Sequence, residues 1–434
     1  GYRRSRQLSC CRVPIWNPVQ FETALPGRGD RQVLMSDIAA SQASAKAGGN
    51  PVSDITIIGA GAAGSMAAIV LARRGISVTL IDMRAKHPPE FRCEKIVDDQ
   101  LQLVEQLGLL DLLTPVSTRV DRMLVVRPGN VQEMRKTTEY GFSYQDFVNS
   151  LRANLPGHVR FVNERVVRIH NGEDTQAIEL GSGEVLSTRL IVLATGLAQG
   201  LRQNLGITRD TVHHQHSLCV GFSLHPGEGS KFHFPALTYY SERLDSGIAY
   251  ITLFPTGDVM RANLFTYHGY KDPFVAEIRN DPASALYRAM PGLRTFLGSF
   301  ERADEVQIRM ADLERVTNHH QHGVVLIGDA FQTSCPATGT GLTRCMNDVA
   351  RLSDHIDDWL AAPGMSKGKL ASFYNDPRKT SVDAKASYAA HYARRFATDG
   401  SLSWDLRRIK TLLKSRFNIM EASLAARLGL LSAS

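Results

Sequence analysis

The sequence predicts an α/β protein in three successive parts: a parallel strand–helix–strand unit beginning near residue 52, a middle region of antiparallel sheet, and a helical C-terminal segment. Three observations carry that expectation. A β-branched run, Ile55-Thr56-Ile57-Ile58, leads into three glycines at fixed spacing and then into small and apolar residues at helical intervals. Between residues 206 and 305, aromatic and aliphatic side chains alternate as along half-buried strands. From Ser381 onward, apolar residues fall at helical spacing among many basic ones. A length of 434 residues suits two domains sharing an interface, and 43% hydrophobic with 21% charged residues excludes disordered, collagenous and disulfide-knot chains.

The net charge of +7 is unevenly placed: residues 1–34 hold Arg3, Arg4, Arg6, Arg12, Arg28 and Arg31 against Glu22 and Asp30. The remainder is close to neutral and gives no reason to expect nucleic acid as a partner. The six cysteines (Cys10, Cys11, Cys93, Cys219, Cys335, Cys345) fit no metal-binding spacing, so no metal site is expected; they read as reduced thiols of a cytoplasmic protein. The uncharged stretch Ile55 to Ala72 is broken by patterned glycines, so no membrane span is expected. Val13-Pro14-Ile15-Trp16 is too short for a secretory h-region. The Arg-rich start reads either as a transit-type leader or as a flexible one with Met35 as the start, and residues 36–50 read as linker.

In chain order, Ile55–Ile58 is a buried parallel strand, and Gly59-Ala60-Gly61-Ala62-Ala63-Gly64 follows as GxGxxG. The first glycine permits a tight turn, the second removes a side chain that would block a pyrophosphate, and the third lets helix and strand approach. The helix from about Ala62 to Arg74 offers its N-terminal amides and dipole to phosphates. Gly75 ends it, and Val78–Ile81 forms the next strand. Asp82, eighteen residues beyond Gly64, stands where a carboxylate accepts ribose hydroxyls, with Met83 and Arg84 beside it. This is a Rossmann-like dinucleotide site.

A second segment lies far downstream. The strand Gly323–Ile327 runs into Gly328-Asp329, then Pro336-Ala337-Thr338-Gly339-Thr340-Gly341-Leu342 and a helix. Gly328 allows close backbone approach, and Asp329 can accept a ribityl hydroxyl. The turn at Pro336, Gly339 and Gly341 aims amides and the dipole of the helix begun by Leu342 at an electron-rich flavin carbonyl.

Together the GxGxxG, Gly328-Asp329 and Pro336–Gly341 PxxGxG motifs resemble the flavoprotein monooxygenases of the para-hydroxybenzoate hydroxylase type, a superfamily shared with flavin halogenases and geranylgeranyl reductases. The resemblance covers residues 52 to about 380 and includes a β-meander over 158–193 and a tail, Leu370 to Arg378, similar to LxxYxxxR. It implies FAD as cofactor and NAD(P)H or another reductant as donor. It places Val166 near the adenine and Arg92 near the pyrophosphate and flavin. Two departures stand out. Where most hydroxylases carry Asp-Gly, this chain has Thr195-Gly196, which argues against ordinary NAD(P)H use. The tryptophan-halogenase WxWxIP segment is absent, the tryptophans being Trp16, Trp359 and Trp404.

The implied organisation is a leader and linker (1–50), an FAD-binding domain in three pieces (51–115, 155–205, 306–360), a substrate domain in two (116–154, 206–305) and a helical segment (361–434). With no second GxGxxG unit and no CxxC, the flavin must carry the reaction, which in this family means oxygen delivered from a flavin C4a-hydroperoxide. The substrate expected is an aromatic or hydrophobic small molecule, or a peptide side chain. Halogenation, prenyl-chain reduction and an FAD-bound protein-maturation role stay open. Glu94 and Lys95 read as acid–base candidates or as a surface ion pair. His213, His214 and His216 read as a solvated strand edge, with 214 and 216 on one face; His319, His320 and His322 read as loop. Cys335 reads as flavin-adjacent or as an inert packed thiol. Tyr239, Tyr240 and the segments Ala249–Phe254 and Arg261–Tyr267 read as pocket floor or as sheet core. The basic C-terminal residues Arg394, Arg395, Arg407, Arg408 and Lys410 read as a solvated face, as a cover over the substrate side or as a site for an acidic protein partner.

Overall fold

The computed structural model describes residues 53–92 and 94–427; the expected leader and linker, Val52, and Cys10, Cys11 and Cys93 lie outside them. The first strand, Ser53–Ile58, sits between Val78–Ile81 and Val185–Leu193, parallel to both. Ile55 and Ile57 are wholly buried between sheet and helices. Burying one such side chain contributes about 1.5–3 kcal/mol, which is why an unalternated β-branched run suits this central place.

Val185–Leu193 organises this seven-stranded sheet. One edge of it pairs with Ser53–Ile58. The other edge takes the antiparallel strand Gln176–Leu180 along its first half and the parallel strand Val324–Leu326 along its second. Leu193 is level with Ile58 on one side and with Leu326 on the other. Three strands therefore end together, and the turns at Gly59, Thr195 and Gly328 leave from the same end of the sheet. Gly59 (φ +101°) turns there because a Cβ would meet the Ala194 carbonyl oxygen at 2.6 Å. At Gly64 a Cβ would sit 1.9 Å from the Gly59 carbonyl oxygen, so helix Ala62–Ala72 packs tight on the strand.

The second sheet has nine strands in the order Phe300–Arg302, Thr208–Pro226, Val259–Thr266, Ile248–Thr256, Leu237–Tyr240, Ser117–Arg127, Val131–Phe142 and Lys95–Ile96, with Gln307–Thr317 also on Thr208–Pro226. All pairs are antiparallel except Leu237–Tyr240 on Ser117–Arg127. Helices Pro273–Asn280 and Pro282–Ala289 bury Val275, Ile278, Ala285 and Leu286 in the core of this sheet. Each starts with Asp then Pro: Asp272 and Asp281 accept hydrogen bonds from the Phe274 and Ser284 amides.

Two expectations about placement need correction. Gln307–Thr317, assigned with the flavin-binding pieces, pairs with Thr208–Pro226 in the second sheet. Helix Tyr144–Ala153, assigned with the substrate pieces, sends Phe147, Val148 and Leu151 into the first core. In both cases hydrophobic pattern fixed the element but not its partner.

After helix Thr340–Ala361, the described part of the C-terminal segment is helical: Lys367–Tyr374, Pro377–Thr398 and Leu402–Arg427. Among the described residues no helix is long and apolar enough to cross a membrane.

Candidate active site

The common end of the three strands opens into a cavity of about 1130 Å³ whose far wall is the nine-stranded sheet. Its near wall is built from Gly59, Gly61, Ala62, Ala63, Asp82, Arg84, Arg92, Thr195, Gly196, Asp329, Pro336, Gly339, Gly341 and Leu342, and Glu94 and Lys95 also face it. Ala60, Gly64, Met83, Val166 and Gly328 do not line it. Gly64 and Gly328 act through packing, Ala60 is fully buried, Val166 starts the meander strand, and Met83 is exposed.

The fit to a dinucleotide rests on the protein atoms themselves. A Cβ at Gly61 would meet only the Tyr144 hydroxyl, at 3.9 Å, so this glycine leaves a space that the fold does not need. The buried Thr195 Oγ1 has no hydrogen-bond partner among the described residues, a state that a bound polar group would relieve. Gly339 (φ +64°) caps the 22-residue helix Thr340–Ala361 and has no atom near its missing Cβ, so the helix N-terminus opens into the cavity.

Around this cradle the charged groups are largely paired within the protein. Asp82 Oδ2 accepts from the Ala60 amide at 2.8 Å and from Arg152 at 3.1 Å. Arg152 also donates to the Ala60 and Arg84 carbonyls, tying the first turn to the acid. Arg92, expected to neutralise phosphate, bridges Asp329 at 2.8 Å and Glu90 at 2.5 Å, so it ties the stretch around residue 90 to the Gly328-Asp329 segment. Burial would raise the Glu90 pKa, but His87 at 3.3 Å and the guanidiniums of Arg92 and Arg309 hold it down at about 2. The Gly339 turn is fastened by Gln100, which donates to the Gly339 carbonyl at 2.8 Å and to Thr343 at 3.0 Å.

Glu94 and Lys95 do not pair with each other. Glu94 is buried and accepts from Arg261 Nε at 2.8 Å, while Lys95 pairs with the buried Glu139 at 2.9 Å and lies 5.5 Å from the Phe254 ring. Burial raises the Glu94 pKa despite Arg261. A carboxyl whose folded pKa exceeds its unfolded value supports stability fully below the unfolded value and loses that support as pH rises through the folded one. Wild type should therefore lose stability relative to Glu94→Gln as pH climbs from about 4.5 through the folded pKa. Urea titrations of both proteins across that range check this; parallel curves would show that Glu94 is ionised without cost.

On the far wall, Tyr240, Tyr250, Phe254 and Phe265 face the cavity, with Tyr250 4.8 Å from Phe265 and 5.4 Å from Tyr240. Tyr239 points the other way, into the sheet core, and bonds Glu242. Cys335 is a packed thiol beside Ser217, with its pKa raised by burial, yet it also touches the cavity wall.

The histidine expectation fails in part. His214 is exposed but His216 is fully buried, against Tyr267 and His391. Bulges in Thr208–Pro226, with Gln215 at φ +46°, break the alternation that would put both on one face. The solvated-face reading of the C-terminal cations holds for Arg395, Arg407 and Lys410, which are exposed, but not for Arg394 and Arg408, which are half-buried. Arg394 bonds the His216 carbonyl, Arg395 pairs with Asp399 at 2.9 Å, Arg408 with Asp405 at 2.6 Å, and Arg407 lies 4.6 Å from the Trp404 ring. Helix Pro377–Thr398 packs on strand Ile248–Thr256 of the second sheet.

Sequence reasoning missed Tyr144, Arg152, Gln100, Lys379 and the pairing of Arg261 with Glu94. None lies in a motif, and only Tyr144 and Arg152, a helical turn or two apart, carry a pattern that could have suggested a common direction. The tail arginine Arg378 is exposed; its neighbour Lys379 is buried, bonding Asp348 at 2.6 Å, and Asp348 in turn accepts from the Gly328 amide at 2.8 Å.

A family model described as FAD binding domain matches residues 52–384. Squalene monooxygenase of Rattus norvegicus is 24% identical over 401 residues, covering 86% of this chain and 68% of that protein. The 3-demethoxyubiquinol 3-hydroxylase of Escherichia coli is 24% identical over 331 residues, covering 70% and 80%. Among solved structures, p-nitrophenol 4-monooxygenase PnpA of Pseudomonas putida superposes with a TM-score of 0.66 at 16% identity, over 86% of this chain and 98% of that one. The flavin-dependent brominase Bmp2 gives 0.62 at 18%, over 84% and 94%. The matched segment contains every turn that shapes the cradle, and the chain belongs to the FAD binding domain family: it is an FAD-dependent oxidoreductase of the flavin monooxygenase superfamily.

Proposed function

We propose that this enzyme is a monooxygenase that transfers one oxygen atom of dioxygen to an aromatic or hydrophobic small molecule held against the second sheet. The observation that carries this reading is the shared cavity: Tyr240, Tyr250, Phe254 and Phe265 face the same space as both glycine segments. FAD, when bound, supplies the oxygen-activating chemistry. In this reading the glycine turns and the helix begun at Thr340 hold the cofactor, with Asp82 and Asp329 placed for its hydroxyls. The aromatic wall excludes water and orients the substrate. Glu94, raised in pKa and facing the cavity, is the residue placed to hold or release a proton there, and Lys95 sets the charge beside it.

Thr195 bears on the electron donor. A neutral hydroxyl stands where related hydroxylases carry a carboxylate, so one contact that orients a nicotinamide is missing. Without substrate, NADPH should reduce the bound flavin slowly, and Thr195→Asp should speed that reduction. Anaerobic stopped-flow mixing reads both rates. Rapid bleaching of wild type without substrate would remove Thr195 from this role.

A further inference from the structure

A second cavity, of about 480 Å³, lies between the hairpin Ser117–Arg127/Val131–Phe142 and helix Leu402–Arg427. Arg127, Arg135, Arg407, Lys410 and Lys414 line it, and no carboxylate does. Glu133, which is bonded to the lining residues, is buried and already satisfied by Arg135 at 2.9 Å, Ser415 at 2.5 Å and Asn418 at 3.3 Å. Among the described residues Lys410 and Lys414 have no ion pair. Arg407, Lys410 and Lys414 recur at helical spacing on one face, where like charges repel and weaken a helix. Arg135 pairs with Glu133, and Arg127 and Arg407 lie over the rings of Tyr240 and Trp404, but Lys410 and Lys414 gain no such contact among the described residues, and a multivalent anion would relieve the repulsion among the five.

This cavity adjoins the flavin-side one. Arg135 lines both, and the Arg127 guanidinium lies 4.5 Å from the ring of Tyr240, which faces the larger cavity. We propose that the basic pocket binds a phosphate or diphosphate group of the substrate, whose apolar body passes Tyr240 toward the flavin. The three guanidiniums offer the forked donors that phosphoryl oxygens accept, and the two lysines add charge without demanding one geometry. A single carboxylate would leave most of these cations unmatched. This assignment rests on the reading that the substrate lies against the second sheet.

Inorganic pyrophosphate is the probe. Calorimetric titration of the FAD-loaded enzyme should show salt-sensitive binding at one site, weakened at least about tenfold, roughly 1.4 kcal/mol, in the exposed double variant Lys410→Gln/Lys414→Gln. No binding to wild type, or equal affinity in the variant, would overturn the proposal. A second arm separates the substrate from a phosphate-bearing donor. Saturating pyrophosphate should leave the rate of anaerobic flavin reduction by NADPH unchanged; slowing of wild type but not of the variant would reassign the pocket to the donor and overturn the substrate claim. FAD content, measured on the same samples, reports separately on the flavin site, so failure of that reading is not confused with failure of this one.

Discussion

Gly61→Val is expected to purify folded and colourless. The backbone at Gly61 (φ −72°) accepts any residue, and the new Cβ meets nothing nearer than the Tyr144 hydroxyl at 3.9 Å. The side chain instead enters the space assigned to the pyrophosphate. FAD affinity should fall at least about 100-fold, equivalent to roughly 2.8 kcal/mol at about 1.4 kcal/mol per tenfold. Because a cofactor that binds only the folded state raises apparent stability, the comparison must use wild type stripped of FAD. Against that reference the thermal midpoint should barely move. Replacing Gly59 or Gly64 would not make this test, since their Cβ atoms would strike backbone oxygens at 2.6 and 1.9 Å and damage the fold. A yellow Gly61→Val protein with full FAD would move the cofactor elsewhere.

Lys379→Met should be the most destabilising single change among the buried charges. Lys379 is wholly buried, with Asp348 at 2.6 Å and Asp383 at 3.2 Å, and it lies over the rings of Phe331 and Phe373. Methionine fills the stem but leaves the Asp348 carboxylate in the core without its cation, a change that costs about 3–5 kcal/mol. Urea unfolding should show this loss, and adding Asp348→Asn should recover part of it because the stranded charge is gone. Asp348 accepts the Gly328 amide, so the single variant should also loosen the turn that presents Asp329 to the cavity. A loss under about 1 kcal/mol would mean that water or neighbouring groups compensate the charge.

These two residues mark how far the sequence could be read. Gly61 was legible because its chemistry is local: a strand, a turn and a helix start within ten residues, and the close approach shows in the absence of a side chain. Lys379 was not, because its partner Asp348 is 31 residues away on another helix, and its burial is decided by which face of Pro377–Thr398 meets Thr340–Ala361. The motif pointed to Arg378, one residue and about 100° of helix away. The same limit explains Arg92, whose place near the cofactor was implied by the family resemblance while its pairing with Asp329 spans 237 residues. It explains His216 as well: strand periodicity is legible, but a bulge that turns a side chain inward carries no signal in one sequence. Alternation revealed the aromatic wall and left open which tyrosine faces the cavity; pairing within the sheet sends Tyr240 there and Tyr239 into the core.

The account is tested most directly by following the oxygen atom. The reduced, FAD-loaded enzyme is mixed with an extract of small molecules from its source cells under heavy-isotope dioxygen, and products are compared by mass spectrometry with a parallel Gly61→Val reaction. The account predicts one compound that gains a single heavy oxygen atom in the wild-type reaction alone. A product that instead gains a halogen or two hydrogens, with no heavy oxygen in any compound, would contradict it.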